Sequence, residues 1–358
     1  MKVFHLIARV NRGGTANWIE NLVIGLRNLG HTVELFAGVV EANEIEHRCF
    51  TELEGRRMES LKRTPSIFSD FRAIVEFRKI LKAENPEVLN THTAKAGLIG
   101  RIAAIGLPVK TVHTFHGHVL YGYFNPISSR IFLSIERILA ALTDVFIAVG
   151  EKVKSELIEA RIGNPDIYIS ISPAVRKLTK ISEHVAREKL DLPQNQFTVG
   201  WLGRFAQIKR PDKLIEIALR NPGINFIMGG EGELLTQIKE ISPKNVFFTG
   251  WANPEVFWSA CNIAILTSDN EGLPTSLIEA GSFGLPIITT NVGSASEIVK
   301  DKESGFVIEN IEDADSFIRN LSADGNLRRK MGTNSQDYCL TKFNLDLFIQ
   351  SHISAYKM

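Results

Sequence analysis

At 358 residues, with 44% hydrophobic, 23% charged and 8% aromatic content, the chain is long enough for two cores and unusually long for one compact domain. Lys+Arg 41 against Asp+Glu 40 leaves a net charge of +1, so no global electrostatic excess draws it to nucleic acid. Cys49, Cys261 and Cys339 lie far apart, which argues against a disulfide or zinc scaffold, and no run of about 18 apolar residues offers a membrane-spanning helix.

Short apolar runs alternate with longer helical patterns from end to end, the mark of parallel βαβ units. The first run leads into Asn11-Arg12-Gly13-Gly14 rather than a cleavage site, so it reads as a strand, Lys2 to Ala8, and not as a signal peptide. Further strands are predicted at Thr32 to Ala37, Glu87 to His92, Lys110 to Phe115, Asp144 to Val149 and Ile167 to Ser172. Helices fall between them near Thr15 to Leu29, Ile67 to Ala83, Ala94 to Ile105, Pro126 to Leu142 and Glu151 to Ala160, with Gly30 closing the first. From Pro173 to Gln196 the pattern turns polar and irregular, and a linker is expected there. The alternation then restarts, with strands at Phe197 to Gly203, Ile224 to Gly229, Val246 to Gly250, Asn262 to Thr267, Leu285 to Thr290 and Gly305 to Ile308, and a last helix near Leu345 to Tyr356. The expected architecture is two Rossmann-like, doubly wound α/β domains, residues 1–175 and 176–343, with ligands at the carboxyl ends of the strands and in a cleft between the domains. A dehydrogenase is disfavoured: neither Gly13-Gly14 nor Gly230-Glu231-Gly232 completes G-x-G-x-x-G, and there is no Walker A lysine loop.

Four stretches carry chemistry. Thr267 to Ala280 follows a strand, turns at Gly272 and enters a helix with Pro274 near its first position, so the amides of Thr275 and Ser276 are free to face an anion. Glu279 on that helix can accept from two vicinal hydroxyls, and Glu271 in the preceding loop is placed to bind a sugar. Arg204 and Lys209, in the loop after the second domain's first strand, either clamp a diphosphate or are solvated loop cations. Gly13-Gly14 opens the first helix as either a tight turn or a close backbone approach to phosphate. His116 and His118 follow a strand end and are candidate substrate contacts, whereas His113 alternates to the other face and reads as structural. Asp313-Ala314-Asp315 reads as a helix start complementing the dipole rather than a metal-binding pair.

Together these pieces resemble the retaining GT-B glycosyltransferases of family 4, in particular those of bacterial surface-polysaccharide assembly. The resemblance runs through Gly13-Gly14, Gly30-His31-Thr32-Val33, Thr91 to Gly97, Gly100-Arg101 and Thr114-Phe115-His116-Gly117. It continues through Gly203-Arg204 with Lys209, Gly230-Glu231-Gly232, Phe248 to Trp251, the pair Glu271 and Glu279, and Gly284 to Gly293. It implies transfer of a hexose or N-acetylhexosamine from a nucleotide diphosphate, UDP above others, to a lipid-linked or oligosaccharide acceptor with retention of configuration and no metal cofactor. Arg204 and Lys209 would hold the diphosphate and Glu279 the ribose. Glu271 would contact donor-sugar hydroxyls, and Gly272, Leu273 and Thr275 would offer amides. Gly13 and Gly14 would touch donor phosphates or the acceptor, and His116 would lie near the reacting carbon. The helix at 344–358 is expected to cross back onto the first domain. Gly293-Ser294 departs from the paired glycines of many relatives.

The protein is expected in the cytoplasm, and two readings stay open: a peripheral position at the inner face of the membrane, or a solvated loop beside a core-facing helix. The basis is the basic cluster Arg56, Arg57, Lys62 and Arg63, with Tyr121, Tyr123, Phe124, Ile131, Phe132 and Ile135 around a helix carrying Arg130 and Arg137. Two other classes stay open: a nucleotide-sugar 2-epimerase or hydrolase on the same fold, and a non-catalytic subunit that binds nucleotide-sugar.

Overall fold

The computed structural model describes residues 1–41, 44–62, 64, 66–117, 126–176 and 178–358. Two compact units result, Met1–Ala174 with Leu345–Met358, and Val175–Asn344. The first holds β1 (Lys2–Ile7), β2 (Thr32–Ala37), β3 (Arg56–Arg57), β4 (Val88–His92), β5 (Lys110–Phe115), β6 (Val145–Ala148) and β7 (Tyr168–Ser170), in the order β3-β2-β1-β4-β5-β6-β7. The second holds β8 (Thr198–Leu202), β9 (Asn225–Gly229), β10 (Val246–Gly250), β11 (Ile263–Leu266), β12 (Ile287–Thr290) and β13 (Gly305–Ile308), in the order β10-β9-β8-β11-β12-β13. Every pairing between these strands is parallel. In each sheet the strand order reverses beside the first strand, so loops leave in opposite directions at β1/β4 and at β8/β11, opening a crevice at the carboxyl ends.

Alternation decides which face of the first sheet is apolar. Phe4, Leu6 and Leu89 pack with Phe36, Phe77 and Ile99. Their neighbours His5, Asn90 and His92 must point the other way, and all three are fully buried. Asn90 donates to the Tyr356 hydroxyl at 2.8 Å and accepts from Thr114 at 2.9 Å, which ties the helix Leu345–Lys357 to this polar stripe. The same helix meets the helix Gly14–Asn28 edge-on, Phe348 against Trp18 at 4.8 Å. Gly25 makes the approach possible, because a Cβ there would stand 2.3 Å from Ile349 Cδ1. The first helix ends in a Schellman motif: the Gly30 N–H reaches Arg27 O at 2.9 Å and the His31 N–H reaches Leu26 O at 3.1 Å, with Gly30 at φ 79° one residue beyond the cap Leu29.

The stretch expected to be a linker is largely part of the second unit. Ser182 caps a helix, Glu183–Lys189, whose fully buried Arg187 donates to Ala260 O at 3.2 Å and to Asn262 Oδ1 at 3.1 Å. Its polar composition reflects one buried turn, Ala186-Arg187, on an otherwise wet surface. The short β3 carries no apolar alternation to announce it and pairs with β2 through Phe36 and Ala37.

Candidate functional site

In the second unit the loops after β8 and β11 meet at the switch point. Lys209 Nζ lies 2.6 Å from both carboxylate oxygens of Glu271, and the Ser268 hydroxyl donates to the same carboxylate at 2.7 Å. The Glu271 side chain is 6% exposed and that of Lys209 25%, so the pair is screened from most solvent. The two loops are locked together behind it. Thr267 Oγ1 donates to the carbonyls of Lys209 (3.1 Å) and Arg210 (2.9 Å), the Trp201 indole donates to Thr267 at 3.1 Å, and the Asp269 N–H reaches Ile208 O at 2.9 Å. Asp269 also pairs with Arg210 at 3.1 Å and Lys213 at 3.0 Å. Arg204 stands apart: it is exposed and makes no ion pair among the described residues. Lys209 is therefore not a simply solvated loop cation, and any anion that takes it must compete with Glu271 for it.

Glycines set how closely these loops approach. A Cβ at Gly230 (φ 126°) would stand 2.0 Å from Gly203 O, and one at Gly232 (φ 153°) 2.4 Å from Phe205 O. The Phe205 N–H reaches Glu231 O at 2.9 Å, so this glycine pair serves the Arg204 loop. Gly293 (φ 48°) would drive a Cβ to 1.8 Å from Glu271 O, and the Ser294 N–H reaches Gly272 O at 2.9 Å. The departure at Ser294 thus leaves a backbone brace under the Glu271-Gly272 turn.

Pro274 occupies the N-cap of the helix Thr275–Ser282, beside its first position, with a ψ of 109° that is still extended. Thr275 and Ser276 then begin the helix with amides that have no intrahelical acceptor, while Leu273 is buried and Gly272 half-buried. Glu279, one turn on, is 8% exposed and accepts from the Trp258 indole at 3.5 Å. Burial pushes its pKa up from 4.5 to about 7, against the opposing pull of Trp258. Ser268 and Trp258 were not singled out in the sequence; a buried carboxylate needing a donor was the only available signal for them.

In the first unit Gly13 caps the helix Gly14–Asn28 at φ 152°, a conformation that favours glycine, and Gly14 is its first residue. His116 follows β5, half-buried, with Nε2 2.9 Å from His92 Nδ1 and its ring edge-on to Trp18 at 5.1 Å. His118 lies outside the described residues. His113 is structural, as expected: it is buried, with Nδ1 2.8 Å from Thr91 Oγ1.

Asp313 and Asp315 do stand in the first turn of a helix, Asp313–Ala323, but no side chain caps it. Asp315 accepts from Asn221 at 2.7 Å and pairs with Arg220, so it joins two helices. The basic cluster is also committed elsewhere. Arg56 pairs with Glu84 at 2.6 Å, and Arg57 with Glu46 at 2.7 Å; each lies over a ring, Phe36 or Phe50. Lys62 is exposed, whereas Arg63, Tyr121, Tyr123 and Phe124 lie outside the described residues. Sequence reasoning missed a different surface. On the helix Ile67–Glu84, Ile67, Phe68 and Phe71 are 86%, 89% and 68% exposed beside exposed Arg72, Lys79 and Lys82. The acids of that helix are all engaged: Asp70 with Lys95, Glu76 with Ser60 and Glu84 with Arg56. The helix Pro126–Ala140 likewise exposes Ile131, Ile135 and Ile138.

Two family models cover nearly the whole chain, one described as glycosyltransferase family 4 over residues 12–177 and one as glycosyl transferases group 1 over residues 182–338. The Escherichia coli UDP-Gal:α-D-GlcNAc-diphosphoundecaprenol α-1,3-galactosyltransferase is 30% identical over 309 residues, which is 80% of this chain and 79% of that protein. The Staphylococcus aureus capsular polysaccharide biosynthesis glycosyltransferase CapM is 25% identical over 337 residues, 83% of each. Among solved structures, Anabaena HepE in complex with UDP and glucose matches with a TM-score of 0.84 at 18% identity, covering 100% of both chains.

Proposed function

Since the chain belongs to glycosyltransferase family 4 and has the GT-B fold, we propose that it moves a hexose or N-acetylhexosamine from a UDP-sugar to a lipid-linked or oligosaccharide acceptor, with retention and without a metal, in bacterial surface-polysaccharide synthesis. The observation that carries the reading is the Lys209–Glu271 pair on the loops that follow β8 and β11, with the second loop running straight into the helix Thr275–Ser282 that opens on the amides of Thr275 and Ser276 and carries Glu279. Such a group can hold an anion and several hydroxyls at once. The diphosphate draws Lys209 from Glu271 and takes Arg204 as a second cation, which frees the Glu271 carboxylate for sugar hydroxyls. Glu279 accepts from the ribose. In the first unit, Gly13 and Gly14 are assigned to donor phosphates or acceptor, and His116 to the reacting sugar. The bond from the anomeric carbon to phosphate breaks, a bond to the acceptor oxygen forms on the same face, and the hydroxyl proton passes to the departing phosphate. The protein then needs no base of its own; it positions the reactants and stabilises charge. UDP is favoured because the Escherichia coli relative is named for UDP-Gal and HepE was solved with UDP.

A lipid-linked acceptor also accounts for the surface of the helix Ile67–Glu84, where exposed aromatic rings and exposed basic residues stand together. Such a face suits an anionic membrane boundary. No helix among the described residues is long and apolar enough to cross a membrane.

The test is a panel of UDP-sugars with an oligosaccharide or lipid-diphosphate sugar acceptor, in EDTA-treated protein, with the product's anomeric proton followed by NMR. An α-linked product from an α-linked donor supports the proposal. A β-linked product, or an absolute need for Mn²⁺ or Mg²⁺, overturns the retaining or metal-free part. Sugar released or isomerised without acceptor would indicate the hydrolase or epimerase class instead.

A further inference from the structure

On the face of the first sheet covered by the helices Gly14–Asn28 and Leu345–Lys357, five polar rings form one cluster: His5, His92, His116, His352 and Trp18. Ring centroids lie 5.3 Å apart for His5–His92, 5.2 Å for His92–His116, 5.1 Å for Trp18–His116 and 5.3 Å for Trp18–His352. Three rings are joined in a row, His5 Nδ1 to His92 Nε2 at 3.0 Å and His92 Nδ1 to His116 Nε2 at 2.9 Å. Three ring nitrogens are buried without a partner: His5 Nε2, His352 Nε2 and Trp18 Nε1. Apolar side chains would fill this core without stranding polar atoms, so the cluster asks for a reason.

Elementary chemistry says what each stranded atom offers. An indole N–H only donates. His352 Nδ1 lies 2.8 Å from the Phe348 carbonyl, which only accepts, so the proton of that ring is on Nδ1 and its Nε2 is a bare acceptor. Burial, reinforced by neighbouring rings, keeps these imidazoles neutral, each with a single N–H. A row of three neutral rings joined in this way has two proton arrangements, all on Nδ1 or all on Nε2. With Nδ1 protonated, His5 Nε2 is an acceptor, and one water that accepts from Trp18 and donates to His5 and His352 satisfies all three atoms. Three hydrogen bonds is the usual number for a buried water. With Nε2 protonated, the same water keeps one hydrogen that finds no acceptor, and an orphaned buried donor is the rarer and costlier defect.

We propose that Trp18, His5 and His352 hold one buried water, and that this water sets the proton row so that His116 presents Nδ1–H, a hydrogen-bond donor, on its open side. His5 and His92 are then positioning residues for His116, and His116 cannot act as a general base. That the donor serves an oxygen of the sugar or the departing phosphate rests on the glycosyltransferase reading; the proton arrangement does not.

Ring-¹⁵N-labelled histidine in the unaltered full chain, read by long-range ¹H–¹⁵N NMR, reports each tautomer directly. The expected result is Nδ1–H at His5, His92, His116 and His352. An Nε2–H or doubly protonated ring at His116 or His92 overturns the proposal. In Trp18→Phe, which removes the indole donor, the Nε2 resonances of both His5 and His352 should move; if either stays in place, the shared water is refuted. His92→Phe should lower kcat about tenfold with little change in KM for the UDP-sugar, and an unchanged kcat would remove the positioning role. Expected tautomers in a chain that transfers no sugar would sink the glycosyltransferase reading and leave the proton row standing. Transfer with reversed tautomers would do the opposite.

Discussion

Replacing Glu279 by Gln tests whether a buried carboxyl is kept neutral until ligand arrives. Glu279 has one weak donor, the Trp258 indole at 3.5 Å, and burial raises its pKa from 4.5 to about 7. Such a displacement corresponds to about 3 kcal/mol of preference for the neutral acid in the folded state. The sign follows from linkage: between those two values the unfolded chain has already lost the proton that the folded chain keeps, so stability falls as pH rises. Most of that loss, about 2.5 kcal/mol, falls between pH 5 and pH 8. Glutamine imitates the neutral acid. Glu279→Gln should therefore exceed the parent by less than about 1 kcal/mol at pH 5 and by about 3 kcal/mol at pH 8. Urea unfolding of both proteins, followed by tryptophan fluorescence, measures the difference; Trp201, Trp251 and Trp258 all lie in the second unit. A gap of the same size at both pH values would refute the reasoning. Ribose hydroxyls donate to the charged form, so UDP affinity should rise with pH toward 7 in the parent and stay flat in the variant.

Lys209→Ala should cut transfer by about 10²-fold or more, the scale set by removing a single transition-state donor. A variant lacking both Arg204 and Lys209 that keeps near-normal turnover would contradict the donor site. Glu271→Ala should weaken UDP-sugar more than UDP, whereas Glu279→Ala should weaken both, and isothermal titration with the two ligands separates them. Gly293→Ala pushes a Cβ to 1.8 Å from Glu271 O; it should lower UDP-sugar affinity in the same titration, and unchanged affinity would show that the brace does not set the turn. Phe68→Asp with Phe71→Asp should abolish co-sedimentation with anionic liposomes at low salt, and binding equal to the parent would discard that surface.

Short apolar runs in a parallel sheet announce themselves as strands, and β2, β5, β10 and β13 have the limits that their runs predict. The doubly wound class follows from that alternation. Contacts between distant loops leave no such trace. Lys209 and Glu271 are 62 positions apart, and nothing local to either says that they meet. Glu279 and Trp258 present the same difficulty on neighbouring helices. Arg56 and Arg57 read as free charge because their partners, Glu84 and Glu46, are remote or reversed in order along the chain. The exposed rings of Ile67–Glu84 escaped notice for the opposite reason: an apolar residue in a helix is ordinarily assigned to the core, and only coordinates show that Phe68 and Phe71 are not there.

The helix Leu345–Lys357 covers His5, Asn90 and His92, yet it is made after the entire second unit. At a synthesis rate of about 5–20 residues per second, the polar stripe of the first sheet waits roughly 10 to 30 s for its cover. During that interval Trp18 lacks Phe348 and His352, and Asn90 lacks the Tyr356 hydroxyl. A polar stripe is the safer surface to leave wet, since it can be hydrated and later dried without attracting another nascent chain. Placing histidine, asparagine and threonine there lets the first unit remain half-finished in water until the helix Leu345–Lys357 closes it.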